Sequence, residues 1–145
     1  MHTKARMEED DFSLCVLDNA RKAARAVSRH YDKLARQVGM TAGQFSVLVS
    51  IRKYEGVTTA ALAKRLSMER TTLVRNVALL ERKGLVASQP VRDGRSKQYR
   101  LTPKGAELLD TAVPLWRQAQ ADVKGHLGSD EFLRAIDTLK RLSEL

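Results

Sequence analysis

The 145-residue sequence has one cysteine and no long hydrophobic run. A single cysteine cannot form an internal disulfide, so a reducing cytoplasm is the expected compartment. No apolar stretch approaches the roughly 18–20 residues of a membrane span. The charged segment at residues 1–11 lacks the apolar core of a signal peptide. We therefore expect a cytoplasmic protein with no membrane partner.

The sequence also lacks the residue patterns of catalytic and metal sites. Its histidines, His2, His30 and His126, are far apart, and no pair has the H-x-x-x-H spacing of metal ligands. There is no glycine-rich phosphate loop, and no nucleophile signature surrounds a serine or the cysteine. These absences argue against an enzyme and against a metal or other cofactor.

Residues 57–105 carry the most organised pattern in the chain, which begins with two helices. Thr58 or Thr59 can cap the first helix, a break follows at residues 67–70, and the second helix ends near Gly84. The apolar residues expected to face inward are Ala61, Leu62 and Leu66 in the first helix and Leu73, Val77 and Leu80 in the second.

Two short extended runs follow, at residues 85–89 and 97–101. Asp93-Gly94 is a strong turn signal between them, so the two runs are predicted to form a β-hairpin. Thr102-Pro103 then combines a capping side chain with proline at the first position of another helix. Two helices joined by a tight turn and followed by a hairpin predict a winged helix-turn-helix, mainly α with a small β-hairpin wing.

Positive charge is concentrated in this same segment. The whole chain has 26 Lys or Arg and 17 Asp or Glu, a net charge of +9. Residues 64–104 hold 11 of the basic and 3 of the acidic residues, a net of +8, which leaves +1 for the rest of the chain. A polyanion-binding surface needs such a field, because each neutralised phosphate releases condensed counterions. The charge and the wing together indicate double-stranded DNA as the partner.

A long amphipathic helix is predicted before the core, from about Asp11 to Val38. Its apolar residues recur with a 3.6-residue period, and Gly39 is expected to end it. A second helix should start with Thr41 and Gln44 as a reciprocal capping box.

Another amphipathic helix is predicted after the core, from Pro103 onwards. Pro114 predicts a kink without a break in this helix, because the apolar period continues on both sides. Residues 129–131 are expected to cap a last helix. Apolar stripes at both ends of the chain favour an intertwined homodimer; the alternative is a monomer whose terminal helices pack on one another.

The core resembles the MarR (multiple antibiotic resistance regulator) family of bacterial transcription regulators. The matching stretches are LAKRL at 62–66, MERTTLVRNVALLERKGLV at 68–86, DGRS at 93–96 and LTPKG at 101–105. Weaker similarity covers nearly the whole chain. The resemblance implies one domain over 1–145, with a winged DNA-binding core at about 41–102 and a helical dimerisation region at about 11–38 and 103–145.

The candidate base-reading residues lie at the start of the second core helix: Arg70, Thr71, Thr72, Arg75 and Asn76. Arginine can bond both acceptors of guanine, asparagine can pair with adenine, and a threonine methyl group can touch thymine. At the wing, we expect Arg95 to enter the minor groove, where a narrow A·T tract concentrates negative potential. The resemblance implies that Asp93 holds that arginine in place. Arg92 and Lys97 are expected to contact phosphates.

The resemblance also implies a signal that releases DNA, either a small aromatic or acyl effector or oxidation of a cysteine. Polar candidates for an effector pocket are Tyr31, His30 and Ser46, and Arg21 or Arg25 could neutralise a carboxylate. Cys15 is either a redox sensor or a small buried hydrophobic residue. We expect a palindrome-binding repressor released by a ligand. The alternatives are a thiol sensor acting through Cys15 and an architectural DNA-binding protein without an effector.

Overall fold

The computed structural model describes residues 10–92 and 96–145, which are mostly helical. The α-helices are α1 (Val16–Ala35), α2 (Ala42–Lys53), α3 (Thr59–Arg65), α4 (Arg70–Arg82), α5 (Pro103–Leu127) and α6 (Ser129–Leu142). The strands β1 (Val57–Thr58), β2 (Val86–Pro90) and β3 (Lys97–Leu101) form an antiparallel sheet in the order β1-β3-β2. This is the predicted winged helix-turn-helix, with long helices before and after it.

The first predicted helix is interrupted near its start. Short 3₁₀ turns at Phe12–Leu14 and Arg36–Val38 flank α1. Cys15 lies between the first of these turns and α1, and its backbone is extended, with φ −68° and ψ 119°. Its Sγ accepts a hydrogen bond from the Asp18 N–H at 3.4 Å. Cys15 therefore acts as the N-cap of α1. Gly39, with φ 73°, ends the helical segment as predicted.

The helix starts predicted from capping residues are confirmed at α2 and α5 and wrong at α6. The Gln44 N–H donates to Thr41 Oγ1 at 3.1 Å, and the Thr41 N–H donates to Gln44 Oε1 at 3.0 Å. Thr102 Oγ1 accepts from the Gly105 N–H at 3.0 Å. By contrast, α6 has no side-chain cap: Ser129 is already its first helical residue, and Gly128 precedes it.

The core of the winged part lies between α2, α3, α4, α5 and the sheet. Its fully buried side chains include Leu48, Ile51, Leu62, Leu73, Val77, Leu80 and Leu109. The inward face predicted for α4 is confirmed, whereas Ala61 of α3 is exposed and Ala63 is buried in its place. The buried Tyr99 of β3 and Thr59 of α3 share a hydrogen bond of 2.9 Å between their hydroxyl oxygens, which ties the sheet to the helices.

The terminal helices leave large apolar side chains uncovered. α5 continues through Pro114 without a break, and its second half packs on α1, where His30 Nε2 lies 2.9 Å from Asp122 Oδ2. α6 contributes no buried residue, and Leu133 and Leu139 are 67% and 59% exposed. Phe12 and Leu17, at the other end of the chain, are also exposed. Within the described ranges, no helix is both long and apolar enough to cross a membrane.

Candidate nucleic-acid interface

The side of α4 that faces away from the core carries three of the five predicted base-reading residues. Burial of Leu73 fixes the rotation of the helix, and at 100° per residue Thr71 and Arg75 then lie on the opposite side. Thr72 flanks this face, whereas Arg70, three residues before Leu73, lies only about 60° from it; all four side chains are exposed.

Asn76, the fifth candidate, lies closer to the core side of the helix. It follows Leu73 by three residues, so only about 60° separates the two side chains around the helix axis. Its Nδ2 is 3.7 Å from Met68 Sδ and donates a hydrogen bond to it. Asn76 is exposed, but this contact turns its amide towards the residues that precede α4.

The wing carries further exposed positive charge. Arg92 is exposed after β2, and Lys97 is exposed at the start of β3. The hairpin hydrogen bonds continue beyond β2, since the Val91 N–H donates to the Ser96 carbonyl at 2.9 Å. Asp93 and Arg95, the predicted tip residues, lie outside the described residues.

Arg70 of α4 and Lys97 of β3 border one small crevice of about 230 Å³ between helix and sheet. The other lining residues are Thr59, Val74, Ala78, Glu81 and Tyr99. In the part of the chain that the structure describes, the salt bridges are Lys22–Asp18, His30–Asp122, Arg52–Asp110, Arg134–Glu131 and Arg141–Asp137. None involves a cation of α4 or the wing, so the positive field of this surface is not compensated by ion pairs there.

Hydrogen bonds that the sequence did not predict connect the end of α4 to the start of α5, directly after the wing. Lys104 Nζ donates to the Lys83 carbonyl at 3.0 Å and so caps the C-terminal end of α4. Thr102 Oγ1 donates to the Gly84 carbonyl at 2.6 Å. The LTPKG stretch therefore holds α4 at a defined angle to the sheet. Its position after the wing was visible in the sequence, but its contact with α4 was not.

A second candidate site is a cavity of about 490 Å³ between α1, α2 and α5. Its lining is Val27, Ser28, Tyr31, Leu34, Ala35, Ala42, Gly43, Phe45, Ser46, Val49, Ser50, Ala112, Leu115, Trp116, Ala119 and Gln120. Of the predicted pocket residues, Tyr31 and Ser46 lie in this lining. His30 does not; it pairs with Asp122. Arg21 and Arg25 are exposed on α1 and also lie outside the lining.

Two polar residues of the cavity lining are linked to each other, since the Tyr31 hydroxyl donates a hydrogen bond to Gln120 Oε1. Partial burial, followed by the negative charge of Asp122, raises the pKa of Tyr31 above its ordinary value. The phenol therefore stays protonated and can donate a hydrogen bond throughout the neutral pH range. The lining contains no charged side chain. Trp116 and Gln120 were not predicted, because only the packing of α5 against α1 brings them to Tyr31.

Cys15, the redox candidate, is half-buried and is a free thiol. Its sulfur faces the first backbone N–H groups of α1, where it accepts the hydrogen bond from Asp18. Tyr31 lies four turns further along α1, on the cavity. The structure therefore does not bring the thiol and the phenol together within this chain.

Known proteins share both the sequence of the core and the arrangement of the whole chain. A family model described as the MarR family matches residues 38–96. The M. tuberculosis transcriptional regulator MosR, solved in complex with DNA, is 38% identical with a TM-score of 0.82, covering 90% of this chain and 94% of that one. A mutant of E. coli MarR, solved with operator DNA, is 26% identical with a TM-score of 0.81, covering 92% of this chain and 98% of that one.

Curated relatives agree with the structural matches. An HTH-type transcriptional regulator of Staphylococcus aureus is 27% identical over 126 residues, 82% of this chain and 86% of the relative. One from Bacillus cereus is 28% identical over 83 residues, 57% of this chain, and the match spans about half of that relative, 55%. The fold and the site thus define a winged helix-turn-helix transcription regulator. Within that class, the chain belongs to the MarR family.

Proposed function

We propose that this protein is a sequence-specific double-stranded DNA-binding regulator, a homodimeric repressor released from a palindromic operator by a small molecule. The observation that carries the proposal is the basic surface of α4 and the wing: the arginines and lysines that the structure describes there are exposed and take part in none of the salt bridges of the described residues. The DNA complexes of the relatives MosR and MarR support it.

In this proposal α4 enters the major groove, which is wide enough to admit a helix. Arg75 and Thr71 then face base edges, while Arg70 approaches from the side of the wing. Lys97 and Arg92 neutralise backbone phosphates, which positions the protein without reading sequence. Arg95 enters the neighbouring minor groove, and Asp93 orients it.

A homodimer is supported by the uncovered apolar residues of both terminal helices. Leu17 of α1 is 67% exposed, and Leu133 and Leu139 of α6 are exposed although their helix is amphipathic. A second copy of the chain would bury these side chains. It would also place two α4 helices on one DNA molecule, which provides the discrimination that one winged domain lacks.

Release by a ligand is supported by the cavity between α1, α2 and α5. Its volume of about 490 Å³ is within the range of small-molecule sites. Because the lining has aromatic and aliphatic walls and no charged side chain, we infer an uncharged aromatic effector. A carboxylate would find no cation there, since Arg21 and Arg25 lie outside the lining. The alternatives are a thiol sensor, for which Cys15 offers a half-buried free sulfur, and an architectural protein, which would bind all DNA sequences alike.

Base reading can be tested by comparing two cation-to-alanine variants on DNA selected from a random pool. We expect Arg75→Ala to cost about 1–3 kcal/mol and to relax the preference at particular base pairs. Lys97→Ala should weaken every sequence alike and lower the slope of log K against log salt by about one. Binding of both variants would be measured by fluorescence anisotropy against the selected site and a scrambled duplex. An equal, sequence-independent loss in both variants would refute major-groove reading by α4.

A further inference from the structure

Val74 is the more exposed of the two large apolar side chains on the outer surface of α4. It is 47% exposed on α4 and lines the crevice that Arg70 and Lys97 border. Ala78, one turn later, is exposed and lines the same crevice. The two side chains form a small apolar patch, which we call the Val74 patch.

The rotation of α4 places the Val74 patch beside the predicted base-reading residues. Val74 lies about 100° around the axis from the buried Leu73, on the side facing β3, and Arg75 lies a further 100° on. Thr71 precedes Val74 by three residues and stands above it on the same side of the helix. The Val74 patch therefore lies between the face of α4 that carries Thr71 and the sheet.

The charges around the patch indicate which end of it meets DNA. Arg70 and Lys97 stand beside the patch and can hold phosphates on either side of a groove. Glu81 closes the crevice one turn beyond Ala78, and its Oε2 accepts a hydrogen bond from Ser88 Oγ at 3.4 Å. A carboxylate held there repels phosphate, so the N-terminal end of α4, with Val74, is the end open to the polyanion.

The C5-methyl group of thymine is the one protruding apolar group on the base edges of the major groove; apart from the small C5–H of cytosine, the groups beside it are hydrogen-bond donors or acceptors. Valine can satisfy none of those polar groups and would leave them without water when it covers them. We propose that Val74, with Ala78 beside it, packs against the C5-methyl group of one thymine in each half of the operator and so selects T·A at that position. This inference rests on the proposed function, because it requires that α4 lies in the major groove.

The test replaces thymines of the selected operator by deoxyuridine, one symmetry-related pair at a time, which removes the C5-methyl group and leaves every hydrogen-bonding group in place. For one such pair, replacement by deoxyuridine should weaken operator binding by the wild-type protein by about fourfold per thymine. This is the change expected for the loss of one buried methyl group. Val74→Ala should bind thymine and deoxyuridine operators at that pair with nearly equal affinity. The control is Leu79→Ala, which removes an apolar side chain that is 39% exposed elsewhere on α4 and should keep the wild-type sensitivity.

The outcomes distinguish failure of this inference from failure of the proposed function. If no thymine pair is sensitive in the wild-type protein, which needs no variant to fold, the inference is overturned while the proposed function stands. If a pair is sensitive but Val74→Ala keeps that sensitivity, another residue reads the methyl group, and the inference is equally overturned. If selection yields no preferred sequence, the proposed function itself fails, and the inference fails with it.

Discussion

Gly105 lies in the first turn of α5 directly against the backbone of Leu85. A Cβ atom at this position would stand 2.0 Å from the Leu85 carbonyl oxygen and 2.9 Å from its carbonyl carbon. Backbone atoms cannot move aside as the end of a flexible side chain can. The close approach allows the Thr102 N–H to donate to the same carbonyl at 3.1 Å, and it sets the angle at which α5 leaves the wing.

We therefore expect Gly105→Ala to lower the free energy of unfolding by about 2–3 kcal/mol through overpacking. The control in the same helix is Gly125→Ala, where an added Cβ meets nothing within 4 Å. That change should raise stability by roughly 0.5–1 kcal/mol, since alanine loses less backbone entropy than glycine in a helix. Urea denaturation followed by circular dichroism measures both, and a neutral Gly105→Ala would contradict the steric argument.

Single residues also show how far the sequence could predict the site. Arg75 and Thr71 could be placed on the exposed face of α4, because the period of Leu73, Val77 and Leu80 determines the rotation of the helix. The orientation of Asn76 depends on a contact with Met68 outside the helix, which periodicity does not encode. The position of Val74 beside Lys97 required the fold, since the two residues are distant in sequence.

At the scale of elements, helix starts are predictable where a side chain can reach back to the backbone. Both Thr41 and Ser129 have the sequence signature of a cap, but only Thr41 is extended and hydrogen-bonded to the first turn, with φ −97° and ψ 160°. Gly128, with φ 85° and ψ 156°, occupies the capping position before α6. Its left-handed φ moves Ser129 into the helix, and no local pattern in the sequence shows this.

Because Thr41 caps its helix and Ser129 does not, replacing each by alanine should affect stability differently. Thr41→Ala should destabilise the protein by about 1 kcal/mol, because the Gln44 N–H loses its acceptor. Ser129→Ala should change stability by no more than a few tenths of a kcal/mol, since its side chain makes no capping bond. Thermal melts of the two variants at one protein concentration provide the comparison. A larger loss in Ser129→Ala than in Thr41→Ala would show that the cap assignment is wrong.

At the scale of the whole molecule, charge and apolar surface are segregated. Residues 64–104 carry a net +8 and the remainder +1, whereas the most exposed large apolar side chains lie outside that segment, towards the two ends of the chain. Sequence composition predicted this division, because charge and periodicity are both readable along the chain. The cavity was not predictable in shape, since it arises where α1, α2 and α5 meet.

The two proposed sites should be coupled, and the coupling must be reciprocal. We expect 2-naphthol, an uncharged ring with one hydroxyl group, to bind more tightly than the anion 2-naphthoate, because the cavity lining has no cation. Calorimetry on free and operator-bound protein should show that 2-naphthol and DNA weaken each other by the same factor. Tighter binding of 2-naphthoate would contradict the inferred class of effector.

Repeating the DNA-binding measurement after peroxide treatment distinguishes release by a ligand from sensing by the Cys15 thiol. Cys15→Ser should behave as the wild type towards both 2-naphthol and DNA, since Cys15 lies outside the cavity. Loss of DNA binding only on oxidation, abolished by Cys15→Ser, would instead assign the sensing role to the thiol.

The length of α5 has a mechanical consequence. The helix is 25 residues long and continuous; its first turn is fixed to α4 and the sheet by Thr102, Lys104 and Gly105, and Trp116 and Gln120 line the cavity. Lys104 and Gln120, in these two regions, are 16 residues apart, which is a lever arm of roughly 24 Å at 1.5 Å per residue. A tilt of about 5° at the cavity end would therefore displace the α4 joint by roughly 2 Å, more than the tolerance of a hydrogen bond to a base edge.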